Sequence, residues 1–162
     1  MAVSPNAAGK WTNYPTTFYD PKYPITGAKQ FFSGEAGFSS TAEDSAKFLQ
    51  MYLNNGKLNG IRLLSRTTIK GIMANQTGTL FPDNSKSFYG LAFLVTTKKG
   101  AVAVGNRSLR SFCCSGYFNT SYFADLEEKI IGILLKQTQN IKKDDTRWKF
   151  PVLVGQRIDD WP

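Results

Sequence analysis

Two adjacent thiols, Cys113 and Cys114, the hydroxyl of Ser115 and the cations of Arg107 and Arg110 form the densest group of chemically capable side chains in this sequence. A cysteine attacks as its thiolate, and neighbouring cations promote that form. The two arginines could serve that purpose, but no general base stands near them in sequence. The chain contains no histidine, which excludes Ser-His and Cys-His catalysis and any histidine metal site. No cofactor or metal pattern accompanies the group, and none is expected. A relaxed disulfide needs Cα atoms about 5.5 Å apart, which suits neighbouring residues poorly. Two free, partly buried thiols are expected, and they carry no information about redox compartment.

The elements that would hold these residues belong to a folded domain. Of 162 residues, 41% are apolar and 20% charged, a balance that supports a modest core rather than a disordered chain. The net charge of +8 admits an anionic substrate, an anionic surface or nucleic acid as partner. Lys98-Lys99, Arg107 with Arg110, and Lys142-Lys143 are pairs rather than a basic run, which fits solvated loops and strand ends. Nucleic acid is therefore not expected. A basic sheet that binds single strands remains the third-ranked reading, and it would require affinity that falls steeply with salt. The apolar run at 130–135 is far too short to span a membrane. No signal peptide is visible, since Met1-Ala2-Val3-Ser4 leads into a polar stretch.

Residues 1–30 hold four of the seven prolines, Pro5, Pro15, Pro21 and Pro24, with Tyr14, Tyr19 and Tyr23 between them. They read as an extended, irregular lead-in to a domain at 31–162. Ser40-Thr41-Ala42-Glu43 is a capping box, and Ala46, Leu49, Tyr52 and Leu53 follow at helical spacing. Asn55-Gly56 stops that helix, and Leu58-Asn59-Gly60-Ile61 predicts a tight turn. Ser65 caps a second helix with Ile69, Ile72 and Met73 inward. From Phe88 the period becomes two, with Tyr89, Leu91, Phe93 and Val95 alternating, which predicts one strand. A turn at Lys98-Lys99-Gly100, a short strand over 101–104, a basic loop over 106–112 and strands over 116–124 and 129–137 complete the sheet. Asp144-Asp145-Thr146 starts a last helix over 148–158, which Pro151 must open or interrupt. The fold class expected is α+β, an antiparallel sheet of three to four strands packed with helices. If helices cover only one face, a sheet face or edge is left exposed, a liability unless something else covers it.

The stretch GEAGFSSTAEDSAKFLQMYLNNGKLNGIRLLS, with YGLAFLV and the later strand pair in the same order, resembles the last third of the serine β-lactamase and penicillin-binding-protein-like hydrolases. That family carries Ser-x-x-Lys, a Tyr-x-Asn or Ser-x-Asn, and Lys-Thr-Gly or a relative on a sheet strand. No serine here is followed three residues later by lysine. Tyr52-Leu53-Asn54 and Tyr117-Phe118-Asn119 match the second pattern by letter, but the family's tyrosine motif lies upstream of this segment, so both are taken as chance matches. Cys114-Ser115-Gly116 stands where the third motif falls. The resemblance implies that this strand lines the cleft and that the backbone N–H of Tyr117 is the oxyanion donor. It also implies that Arg107 or Arg110 would have to supply the charge that a lysine at position 114 gives to a substrate carboxylate.

The reading that follows is a C-terminal portion of a bacterial serine hydrolase, with β-lactams, D-amino-acid peptides or esters as substrate classes. By the same resemblance its missing N-terminal part is its partner, and the bacterial periplasm or cell envelope its place. The alternative is a non-catalytic binding or regulatory module of the same fold.

Overall fold

The computed structural model of the chain describes residues 2–18, 20–34, 37–80, 85–104, 107–139, 141, 144–156 and 158. Lys142-Lys143, Glu35 and the first residue of the 106–112 loop lie outside the described residues.

The chain opens on a small antiparallel hairpin, β1 (Val3–Pro5) with β2 (Trp11–Asn13). The Asn6 side chain accepts from the N–H groups of Ala8 and Lys10 and closes its turn. A single turn of helix, α1 (Tyr23–Thr26), follows. Regular structure thus begins within the segment that the prolines suggested was irregular.

Helix α2 (Ala42–Leu53) is capped by Thr41, whose hydroxyl accepts from Asp44 N–H at 3.1 Å. The sequence offers the same signal one residue earlier at Ser40, so the cap is displaced by one. Gly56 follows at φ 89, where an added Cβ would run into the Leu64 carbonyl. The hairpin of β3 (Lys57–Leu58) and β4 (Ile61–Arg62) turns through Asn59 and Gly60, both at positive φ. That is the conformation two-residue hairpins demand. Ser65 caps α3 (Arg66–Ile72) by accepting from Thr68 N–H at 2.9 Å.

A five-stranded antiparallel sheet follows, in the order β5 (Ser87–Tyr89), β6 (Leu94–Thr96), β7 (Phe112–Ser115), β8 (Ser121–Asp125), β9 (Ile130–Leu134). Three expectations are corrected in it. The alternating run from Phe88 to Val95 is a hairpin, with Phe88 opposite Val95 and the Gly90 N–H donating to the Phe93 carbonyl. Residues 98–104 form helix α4 (Lys98–Val104), entered through Thr97, whose hydroxyl accepts from Gly100 N–H. The strand expected over 116–124 begins only at Ser121, and β7 takes in Cys113 and Cys114 instead. The sheet therefore has one strand more than the upper expected count. The last helix, α5 (Thr146–Gly155), runs through Pro151 and ends earlier than expected.

Register and alternation sort the side chains into two faces. Val95, Phe112 and Ala124 stand side by side across β6, β7 and β8. They pack with Leu49, Tyr52 and Leu53 of α2, Ile69 of α3 and Phe93. The opposite face carries Cys113 and Phe123, with Phe150 of α5 edge-on to Phe123 at 6.1 Å. Helices thus cover both faces. Lys136 just past β9 pairs with Asp144, which also accepts from Thr146 at the start of α5 and ties that helix to the sheet. Among the described residues, the edge of β9 has no strand beside it within this sheet.

Asp125 closes β8 and holds the loop that feeds β7. Its carboxylate, 3% exposed, accepts from Ser108 N–H and Ser111 Oγ at 2.8 Å and from the N–H groups of Glu127 and Glu128. Burial pushes its pKa up, but the donors from Ser108, Glu128 and Ser111 outweigh that and hold it below the ordinary value. A depressed folded pKa gives stability that is present above the unfolded value, near about 3.9, and lost as pH falls through the folded one. Asp125→Asn should therefore cost about 1–3 kcal/mol at neutral pH and flatten the acid limb of stability below about pH 4. Urea melts at several pH values check both.

Candidate functional site

The end of β7 and the turn after it gather Cys113, Cys114, Ser115, Gly116 and Tyr117, five of the seven residues singled out in the sequence. The ladder of β7 with β8 runs from Phe112 opposite Ala124 to Ser115 opposite Ser121, and Gly116 N–H then donates to the Thr120 carbonyl at 2.9 Å. Tyr117, Phe118 and Asn119 form the remaining loop. The Asn119 N–H closes back on the Gly116 carbonyl at 3.1 Å, and Asn119 sits at φ 63. This is the three-residue hairpin in which a turn is followed by a left-handed residue, a place asparagine tolerates. The literal Tyr-x-Asn string at Tyr117 is thus turn chemistry.

Backbone direction follows from the same ladder. Gly116 faces β8, so hydrogen-bonding groups alternate and those of Cys113, Ser115 and Tyr117 face away from it. β6 takes up that side only beside Phe112 and Cys113. Cys114 and Ser115 run past the end of β6, and the Tyr117 N–H has no acceptor among the described residues. An open strand edge with an outward N–H can receive a carbonyl or an oxyanion.

The turn is clamped rather than loose. Tyr117 Oη lies 2.8 Å from Tyr14 Oη, and their rings meet edge-on, as do those of Tyr14 and Phe118. The Tyr117 bond, burial and the second phenol together raise the pKa of Tyr14. Asn119 Nδ2 donates to the Thr138 carbonyl at 3.1 Å, and Thr138 N–H donates to the Phe118 carbonyl at 3.2 Å. Gln139 donates its side-chain amide to the Tyr117 carbonyl. The 137–139 segment is held in turn by Val3 of β1 through Val3 N–H to Gln137 O and Gln139 N–H to Val3 O. Tyr14, Asn119, Thr138 and Gln139 were missed as positioning residues, because their partners lie far away in sequence. Only the cluster of tyrosines in 1–30 hinted at a role.

The side chains divide. Cys114 points to the α2 face beside Tyr122, whose phenol is pushed up in pKa by burial first and then by Cys114. Cys113 and Ser115 alternate to the other face. Both cysteines are half-buried and free. The two arginines are anchored in different places. Arg107 donates to Cys113 Sγ at 3.5 Å and covers the Phe123 ring at 5.5 Å, both on the α5 face. Arg110 lies before the start of β7 at φ 69, its N–H on the Thr96 carbonyl. Five residues of nearly extended chain, roughly 16 Å at about 3.3 Å each, separate it from Ser115. Arg107 is thus anchored on Cys113 and Phe123, and Arg110 at the opposite end of β7 from Ser115. Among the described residues, no group of His, Cys, Asp and Glu is arranged to hold a metal, and no helix is long and apolar enough to cross a membrane.

A family model described as Beta-lactamase matches residues 2–156, nearly the whole chain. The chain belongs to the beta-lactamase family. Among solved structures, eight chains match. One is simvastatin synthase (LovD) from Aspergillus terreus, unliganded, at 15% identity and a TM-score of 0.68. That similarity shows the beta-lactamase fold in this chain. It covers 97% of this chain and 42% of the LovD chain, so the chain spans less than half the length of that relative. No curated protein sequence matches. The match begins at residue 2, so the hairpin that clamps the Tyr117 turn falls within the beta-lactamase region.

Proposed function

We propose that this chain is the sheet-bearing part of a beta-lactamase-family serine hydrolase, supplying the cleft-lining strand and one oxyanion donor to a nucleophile carried on another segment. The observation that carries the reading is the unpaired, outward Tyr117 N–H, held on a clamped turn at the open end of β7. In acyl transfer, a serine oxygen adds to the substrate carbonyl and its proton passes to a base. The carbonyl oxygen becomes an anion until the leaving group departs. A backbone N–H aimed at that oxygen stabilises the anion.

Two further observations support a second segment. The chain has no Ser-x-x-Lys. It also exposes large apolar side chains in number, among them Phe31, Phe32, Phe38, Ile25 and Leu80, each more than three-quarters exposed, which gives a second segment apolar surface to pack on. With a neutral thiol at position 114, where the family pattern has a lysine, the strand end suits a neutral acyl ester better than a β-lactam or peptide bearing a carboxylate. The same neutrality favours, as the second reading, a binding module of this fold without turnover.

The test is hydrolysis of p-nitrophenyl acetate and nitrocefin, with fluorophosphonate labelling of serine. The 162-residue chain alone should show neither turnover nor label. Labelling at one of its own serines, with turnover abolished by the reagent, would refute the proposal.

A further inference from the structure

On the α5 side of the sheet a cavity of about 250 Å3 opens between β6, β7, β8 and α5, with both Cys113 and Cys114 in its lining. Its walls bring three cations together, Lys86, Arg107 and Arg147, and none of its lining residues among those described is acidic. Arg107 is the anchored member. One nitrogen donates to Cys113 Sγ at 3.5 Å, and the guanidinium covers Phe123. Its Nε is buried and has no hydrogen-bond acceptor among the described residues. A buried cationic donor left unmatched is costly, and an anion would match it. Arg147 and Lys86 are exposed, and Arg147 lies over the ring of Trp148 at 4.8 Å. Thr96 adds a hydroxyl, and Phe123 and Trp148 add apolar wall.

We propose that this cavity binds a small organic anion, a carboxylate or phosphate on an aromatic or apolar body, with Arg107 as its inner contact and Arg147 and Lys86 at the mouth. Every residue invoked for it belongs to this chain, so it is tested apart from the proposed acyl-transfer role of β7. A guanidinium presents paired donors that fit either anion, and the apolar walls fit the body that carries it.

Cys113 lines the cavity and reports on its occupancy. In the full chain carrying Cys114→Ser, alkylation of Cys113 by iodoacetamide is followed by mass spectrometry. Benzoate and phenyl phosphate are the anionic probes, and benzamide is the neutral control. One or both anions should slow alkylation about fivefold or more when saturating, with benzamide slowing it less than about twofold. Protection by benzoate alone assigns a carboxylate ligand, and by phenyl phosphate alone a phosphate. Arg107→Gln should abolish the protection. Should that variant fail to fold, Arg147→Gln with Lys86→Gln, both exposed, should raise the half-protecting concentration about tenfold, the scale of a lost charged contact. Equal protection by benzamide, or none by either anion on folded protein, overturns the proposal.

Discussion

Replacing Phe93 by alanine is expected to remove about 3–5 kcal/mol of stability. Phe93 is 1% exposed and lies at the meeting point of the α2 face. Its ring is edge-on to Tyr52 at 4.9 Å, 4.6 Å from Phe112 and 6.3 Å from Tyr122. Truncation removes the transfer free energy of the ring and leaves a cavity that strands β6 and β7 cannot close, because their ladder fixes them. Domains of this kind have only about 5–15 kcal/mol in total, so the variant should be largely unfolded at low denaturant. Phe93→Leu, which keeps most of the volume, should cost far less. Urea melts with an unchanged slope would check the effect as a stability change. A loss below about 1 kcal/mol would mean that this cluster does not hold the sheet to α2.

The second large effect concerns turnover in the two-segment hydrolase proposed above. Tyr117→Pro deletes the outward N–H and keeps the turn, because Tyr117 occupies its second position, where proline is favoured. Loss of one oxyanion donor lowers kcat by about 10²–10³. Proline also removes the phenol that meets Tyr14, so Tyr117→Phe is the control, and it should stay within a few-fold of the parent. If the two variants are equally impaired, the phenol clamp matters and the N–H does not.

How much of this was legible in the sequence differs from element to element. Helix α2, its glycine stop, the Asn59-Gly60 turn and the Ser65 cap are local devices, and local spacing revealed them. The break between β5 and β6 was hidden because Tyr89, Leu91, Phe93 and Val95 recur at every second position across it. The turn there is set by tertiary contact: Leu91 N–H donates to the Ile72 carbonyl, and a Cβ on Gly90 would strike that same carbonyl. Helix α4 is a short apolar run, and periodicity does not separate helix from strand at that length. Its Thr97 cap was the available signal.

The site was legible in part for the same reason. Cys114, Ser115, Gly116 and Tyr117 are contiguous, so the strand end and turn hold them together. Arg107 and Arg110 are near in sequence but are sent to the other sheet face and the other strand end. Alternation alone would have separated Cys113 from Cys114. The clamp through Tyr14 and Thr138 depends on contacts across most of the chain, which spacing does not encode.

The central claim is that this beta-lactamase-family chain completes a cleft whose serine comes from elsewhere. The most direct measurement is p-nitrophenyl acetate hydrolysis by the 162-residue chain alone and after co-expression with a family segment carrying Ser-x-x-Lys and the tyrosine motif. The account predicts no turnover alone, a stable complex on co-expression, and ester hydrolysis with serine labelling confined to the added segment. Turnover by the chain alone, or a folded complex that neither labels nor hydrolyses, would contradict it.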